Sequence, residues 1–430
     1  MGANGENPNK ILNNENEAYW TLAWSPASQR LAYVKSAGSG VSIETVPLDG
    51  GPPSVVLSDP KLWRGLSPLI WMPDGRIIFN SIDASASYFG NLWEIMTDPQ
   101  TGQPSGKPTR ITNWDGVQPN LLSVSRDGRR LVVVKSHARN DVYVGELKDG
   151  GTLLASPTRL TVSESADYPS GWMPDSKTIL FQSNRTGRYQ IFRQQLEQDT
   201  AEPVIQGPDD ETDAELSPDG RWILYWSWAH GGGDPPPTTK RLMRYPASGG
   251  SPEPVLEAPS DAATDFHCPS RPASSCVLSR WEQGELIFYA LDPAQGRGKD
   301  LARTELGMPA VLDWSISPDG SRVAIASRDQ LREQVRILDL RKNTERNLQL
   351  PQGWFIFRLN WAANDNTLFA AALHTTRFLI ARIDLDGKTH VLLDRGRNQF
   401  PNAPCASPDG RHLAFGQQTW EDNAWLLENF

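Results

Sequence analysis

The groups through which this 430-residue chain could do chemistry are six histidines, three cysteines and fifty-one carboxylates. Their spacing excludes most of the familiar arrangements. His137, His230, His267, His374, His390 and His412 share no interval, and no H-E-x-x-H pair sets two metal ligands and a base on one helix face. A G-x-S-x-G elbow, a Walker A loop, an EF-hand loop and a strand-linked G-x-G-x-x-G are all missing from the sequence. No catalytic residue, metal ligand or cofactor site is therefore expected.

What remains is the chemistry of recognition. Trp63 and Arg64 in SDPKLWRG, Tyr88 beside Phe89, Trp114 with Asp115 in NWDG, and Trp354 beside Phe355 set aromatic faces among hydrogen-bonding groups in loop-like segments. Asp213 and Glu215 follow Asp209, Asp210 and Glu211; such an acidic cluster could attract cations or basic ligands, although charge runs are usually solvated. The segment SWAHGGGDPPPTTKR (227–241) joins three glycines to three prolines. It reads either as a flap, flexible then stiff, or as a solvated insertion. Cys268 and Cys276 flank one turn and could form a disulfide across two antiparallel strands or pack as two buried thiols; Cys405 is expected in the core.

These groups must be positioned by a repeat. A turn followed by an apolar run recurs at SPASQRLAY (25–33), MPDGRIIFN (72–80), SRDGRRLVV (125–133), MPDSKTILF (173–181), SPDGRWILY (217–225), SRPASSCVL (270–278), SPDGSRVAI (317–325), AANDNTLFA (362–370) and SPDGRHLAF (407–415). The starts are 47, 53, 48, 44, 53, 47, 45 and 45 residues apart. A period of this length, built from strand-type segments, predicts an all-β fold: a single β-propeller of four-stranded antiparallel blades over residues 1–430. Nine blades follow from the count, with eight as the alternative if repeat six is an insertion. The end of the chain, NAWLLENF, reads as a third strand with no fourth. A strand at 8–13 is therefore expected to complete the last blade (400–430) and close the ring. Trp24, Trp71, Trp172, Trp314 and Trp361 recur near the end of each innermost strand; register with the repeat favours packing between blades over a row of sugar platforms.

Composition fits this reading. A hydrophobic share of 38% with 16 Trp, 35 Gly and 34 Pro suits many small sheets joined by tight turns, and a net charge of −9 argues against a nucleic-acid groove. No apolar run is long enough to insert in a membrane, and the polar residues after Met1 do not read as a signal peptide.

The repeated W-S-P-D-G-x-x-L-A-F pattern resembles the TolB-like, PD40-type propeller family. VSIETVPLDGGPPSVVLSDP (41–60), FHCPSRPASSCVLSR (266–280), FYALDPAQGRGKDLAR (288–303) and the ending NAWLLENF resemble, more narrowly, the sensory propeller of acidobacterial receptors that carry a winged-helix or Ser/Thr-kinase domain. SPDGRW (217–222) also resembles a sialidase Asp-box but lacks its extra spacing residue, so it is read as a blade turn. The receptor resemblance implies a non-catalytic, extracytoplasmic sensor that binds a small molecule, glycan, peptide or protein at the channel mouth. Two other readings stand beside it. One is a carbohydrate-active lyase or hydrolase with acid–base residues at that mouth; the other is a scaffold that threads a partner's peptide. Two carboxylates converging in a deep pocket with a histidine would favour the enzyme.

Overall fold

The computed structural model describes residues 10–12, 17–37, 40–59, 68–82, 90–114, 117–229, 238–261, 263–271, 275–305, 312–327, 334–397, 399–428 and 430. Apart from a short 3-10 turn at Asp149–Gly151, every regular element among them is a β-strand.

Each of the nine repeated turns closes an antiparallel hairpin. The turn chemistry explains why. Ser217 Oγ donates to Asp219 Oδ1 (2.6 Å) and accepts the Trp222 N–H (3.0 Å), while Asp219 Oδ1 accepts the Arg221 N–H (3.1 Å). The same three bonds recur around Ser125, Ser317 and Ser407. The fourth residue of the turn has a left-handed backbone, with φ of 71° at Gly220, which glycine adopts at least cost. Ser28, Ser176 and Asp365 accept the same geometry in the degenerate copies.

The chain divides into two compact units, one drawing on residues up to 138 and from 420 onward, the other on the residues between. The first unit holds three of the hairpins. Glu17–Trp24 and Arg30–Ala37 extend through Gly40–Pro47 and Ser54–Ser58 into a four-stranded sheet, and Leu69–Trp71 and Arg76–Ile82 extend likewise through Gly90–Met96 and Thr109–Arg110. Ala32, Val34 and Ile43 pack against Trp71, Ile77 and Phe79 between these two sheets.

The second unit holds the other six hairpins, five of them each in a four-stranded sheet of its own. Sheet I starts at Asp167–Trp172, sheet II at Asp210–Leu216, sheet III at Asp265–His267, sheet IV at Leu312–Ile316, sheet V at Trp354–Trp361 and sheet VI at Gln399–Ala406. Six apolar interfaces join them in a circle. Leu180 of sheet I meets Ala214 and Tyr225 of II; Trp226 of II meets Phe266 of III; Phe288 of III meets Trp314 of IV. Val335 of IV meets Trp354 and Trp361 of V, Phe369 of V meets Phe415 of VI, and Cys405 and Ala414 of VI meet Trp172 and Phe181 of I.

The nine repeated hairpins are shared three and six between the two units. The reason lies in two long strands, Arg130–Lys148 and His412–Glu428. Each begins as the second strand of its own hairpin and continues as the third strand of the other's sheet. Sheet VI is thus Gln399–Ala406, the 412–419 stretch, the 139–148 stretch and Leu153–Arg159. Of the strand expected at 8–13, residues 8, 9 and 13 lie outside the described residues and Lys10–Leu12 is not in a strand; Trp425–Leu427 lies in the strand paired with Arg130–Lys148. No glycine–proline turn interrupts either long strand, so the sequence carries no local mark of the exchange.

The tryptophan ladder packs as expected in four of five positions. Trp71, Trp172, Trp314 and Trp361 are buried. Three of their indoles also reach a neighbouring sheet: Trp172 Nε1 donates to the Cys405 carbonyl, Trp314 Nε1 to Ser279 Oγ and Trp361 Nε1 to the Ser315 carbonyl, each at 3.0 Å. Trp24 is the exception at 57% exposure.

Candidate functional site

The inner strands of the second unit all border one central channel, which widens into two chambers of about 400 and 390 Å³. The first is rimmed by the proline-bearing turns, among them Pro174, Pro218, Pro318 and Pro408. The second is charged, and its lining shows how the repeat builds it. The residue four places before each turn is Pro169, Asp213, Asp313, Arg358 and Ala403 in sheets I, II, IV, V and VI, and all five line this chamber. In sheet III, where the turn is degenerate, Asp265 takes the role.

Bulges help to aim these side chains. Pairing shifts register between Thr212 and Glu215, between Ile356 and Arg358, and between Asn402 and Cys405, and a bulge re-aims the side chains around it. Asp213 has φ of 53°, a conformation that aspartate tolerates better than most residues. Its N–H leaves the ladder and donates to Gln182 Oε1 at 2.9 Å.

Where the two chambers meet, Glu215 Oε1 lies 2.5 Å from His267 Nδ1. Glu215 Oε2 accepts the Cys268 N–H at 2.6 Å. Burial alone would lower the His267 pKa; the Glu215 carboxylate outweighs it, helped by Asp265 and Asp313, and raises the imidazolium to about 9. The ring stands edge-on to Trp314, 4.5 Å between centroids. Immediately after it, Cys268 is disulfide-bonded to Cys276.

Around the charged chamber, enclosure and then the neighbouring Asp265 push the Asp213 carboxyl above its usual range, although the residue is exposed. Asp265 Oδ1 accepts the Trp226 indole N–H at 3.0 Å and the Phe266 N–H at 2.8 Å. Asp313 is raised by burial, against the pull of Arg358 at 3.4 Å and of the Leu359 N–H at 2.6 Å. Lys240 Nζ sits 4.1 Å from the Trp226 ring centroid and 5.9 Å from that of Trp228. Among the described residues no group of His, Cys, Asp and Glu has the arrangement of a metal site.

Of the acidic and aromatic residues singled out from sequence for recognition, Asp213 and Glu215 are placed on this channel. Trp63, Arg64, Tyr88 and Asp115 lie outside the described residues, as does most of the 227–241 loop. Trp114 is half-buried in the first unit, where Lys135 Nζ lies between it and Trp425, at 4.4 and 4.5 Å from the ring centroids. Trp354 is not an open platform: it is 5% exposed and stacks on His374. The acidic run beside Asp213 is largely structural. Asp209 pairs with Arg241 at 2.5 Å, and Asp210 accepts the Tyr189 N–H at 2.8 Å. Glu211 is buried; desolvation and then Asp209 raise its carboxyl to about 7. Asp265, His267, Asp313, Lys240 and Arg358 were missed as a group. The signal available was a charged residue at a fixed offset inside otherwise apolar inner strands.

Residues 104–234 match the TolB beta propeller domain, PD40. No curated protein matches the chain. Among solved structures it is similar to a putative TolB from Agrobacterium tumefaciens, at 15% identity over 65% of this chain and 98% of that one, with a TM-score of 0.49. It is also similar to an oligogalacturonate lyase from Vibrio parahaemolyticus, at 12% identity over 69% and 76% of the two chains, TM-score 0.41. A puromycin-hydrolyzing peptidase from Mycobacterium tuberculosis matches at 14% identity over 93% and 58%, TM-score 0.35.

Proposed function

We propose that this chain is a ligand-binding propeller whose ligand enters the channel of the six-sheet unit, and that it serves as the extracytoplasmic sensing part of a larger receptor. One observation carries the binding reading: side chains of both signs converge from the inner strands on a channel otherwise built of apolar sheet interfaces. Charges held on a rigid frame are suited to orienting a bound molecule. The Cys268–Cys276 disulfide supports an oxidising compartment, and the receptor-like segments support a sensing role. Among the described residues no helix is long and apolar enough to cross a membrane.

A second reading, a carbohydrate-active lyase or hydrolase, has a specific observation in its favour. Asp213 and Asp265 border the same chamber as His267, and paired carboxylates are what acid–base cleavage of a glycosidic bond needs. Binding is preferred because His267 is committed to Glu215 and Asp313 to Arg358 and the Leu359 N–H.

The test is a thermal-shift screen of the full chain against sugars, peptides and metal ions, since a ligand of the native state alone raises the melting point. Ser170 borders both chambers, so Ser170→Trp, with circular dichroism to confirm its fold, should abolish any shift. Shifts that persist in a folded Ser170→Trp variant, or none in the wild type, would overturn the reading; turnover of a polysaccharide would favour the second one.

A further inference from the structure

One positive charge on the channel wall has its donors unused. Lys240 is 7% exposed, and the area it keeps lies in the charged chamber, which it lines. Its charge acts there against the enclosure that raises the Asp213 carboxyl. The Nζ rests against two indole faces, 4.1 Å from the Trp226 ring centroid and 5.9 Å from that of Trp228. Among the described residues it meets no hydrogen-bond acceptor and no ion-pair partner. A ring face attracts the charge but takes up none of the three N–H donors of an ammonium. A buried charge in that state costs free energy unless something in the cavity supplies acceptors.

The rest of the wall narrows what that something is. Asp213, Asp261 and Asp265 border the same chamber, while Arg358 is taken by Asp313 at 3.4 Å. A ligand cation would meet the like charge of Lys240, and a ligand anion would meet three carboxylates. A neutral group that both accepts and donates meets neither penalty. A hydroxyl is such a group. Asp261 Oδ1 already caps the Ala263 and Thr264 N–H groups at 3.0 and 2.7 Å, whereas Asp213 is exposed on its bulge. Asp213, Trp228 and Lys240 come from three successive strands of sheet II, Asp210–Leu216, Trp222–Trp228 and Thr239–Pro246. Trp228, half-buried on that wall, adds a flat apolar face whose negative π-cloud suits C–H groups.

We propose that the charged chamber binds a neutral sugar, with Lys240 donating to one ring hydroxyl, Asp213 accepting from a neighbouring one and Trp228 covering the ring face. Amides also accept and donate, but a trans peptide unit points its N–H and C=O in opposite directions. Adjacent sugar hydroxyls present both functions along one edge, which is what a single wall carrying Lys240 and Asp213 requires. The proposal rests on the channel being the binding site and adds the chemical class of the ligand.

Isothermal titration of the full chain with cellobiose, maltose and lactose tests it, with triglycine as the peptide probe and glucuronate as the anionic one. The expected result is that at least one disaccharide binds and that Lys240→Met weakens it at least about tenfold. That variant keeps an apolar stem over Trp226 and removes the donors, so the melting point should not fall. Asp213→Asn should weaken the same sugar severalfold. Sugar binding left unchanged by Asp213→Asn, or by a Lys240→Met variant that circular dichroism shows to be folded, would overturn the proposal. Triglycine or glucuronate binding more tightly than every sugar, and lost in Lys240→Met, would overturn the sugar class while leaving the channel reading intact. If none of the three sugars binds while the broader screen finds another channel ligand, the proposal fails alone; if neither finds one, the channel reading fails with it.

Discussion

Glu215 and His267, on the inner strands of adjacent sheets, hold each other at 2.5 Å where the two chambers of the channel meet. The pair has a thermodynamic signature. A histidine whose pKa rises to about 9 on folding binds its proton more tightly in the native state, so its contribution is full below the unfolded pKa, roughly 6.5. That contribution is lost as pH climbs through 9. Stability should therefore fall between about pH 6.5 and 9, by at most about 3 kcal/mol. Glu215→Gln should flatten that part of the profile, and an NMR titration of the His267 ring should give an apparent pKa well above that of free histidine.

Glu211 predicts a gain rather than a loss. Its carboxyl is pushed up to about 7 by burial and Asp209, so ionising it opposes folding as pH rises from the unfolded pKa through 7. Glu211→Gln should leave denaturant stability nearly unchanged at pH 5 and raise it at pH 8 by on the order of 1–2 kcal/mol.

Trp361 and Trp24 occupy equivalent places in the repeat and opposite environments. Trp361 is 4% exposed and bonds the Ser315 carbonyl; Trp24 is 57% exposed. Trp361→Ala should cost about 3–5 kcal/mol in urea unfolding, and Trp24→Ala within about 0.5 kcal/mol of nothing.

The Cys268–Cys276 bridge closes a loop of sequence separation 8. Chain-entropy arguments give it about 2–3 kcal/mol, so reduction should lower the melting temperature. Thiol titration of the denatured chain should count one free thiol, Cys405, before reduction and three after it. Three before reduction would contradict the bridge.

The hairpins were legible because each depends on a few adjacent residues: Ser217, Asp219 and Gly220 make their bonds and their left-handed turn within one short segment. The exchange between Arg130–Lys148 and His412–Glu428 was not, because it pairs residues nearly three hundred positions apart, and Asn140-Asp141 and Asp422-Asn423 beside the crossing read as ordinary hairpin turns. The site was legible only at Asp213 and Glu215. Exposed-looking aromatics such as Trp354 proved to be packing groups, since an indole beside a turn serves the core as readily as a ligand. Asp313 and Arg358 went unread for a different reason: each looks like a solitary surface charge until the repeat offset places them on one wall.

The most direct test of the channel as a binding site is a crystal structure of the full chain soaked with the compound that gives the largest thermal shift. The account predicts electron density for that compound in the channel of the six-sheet unit, between the inner strands that carry Asp213, His267 and Arg358. Density confined to the outer faces of the sheets or to the first unit, with none in the channel, would contradict it.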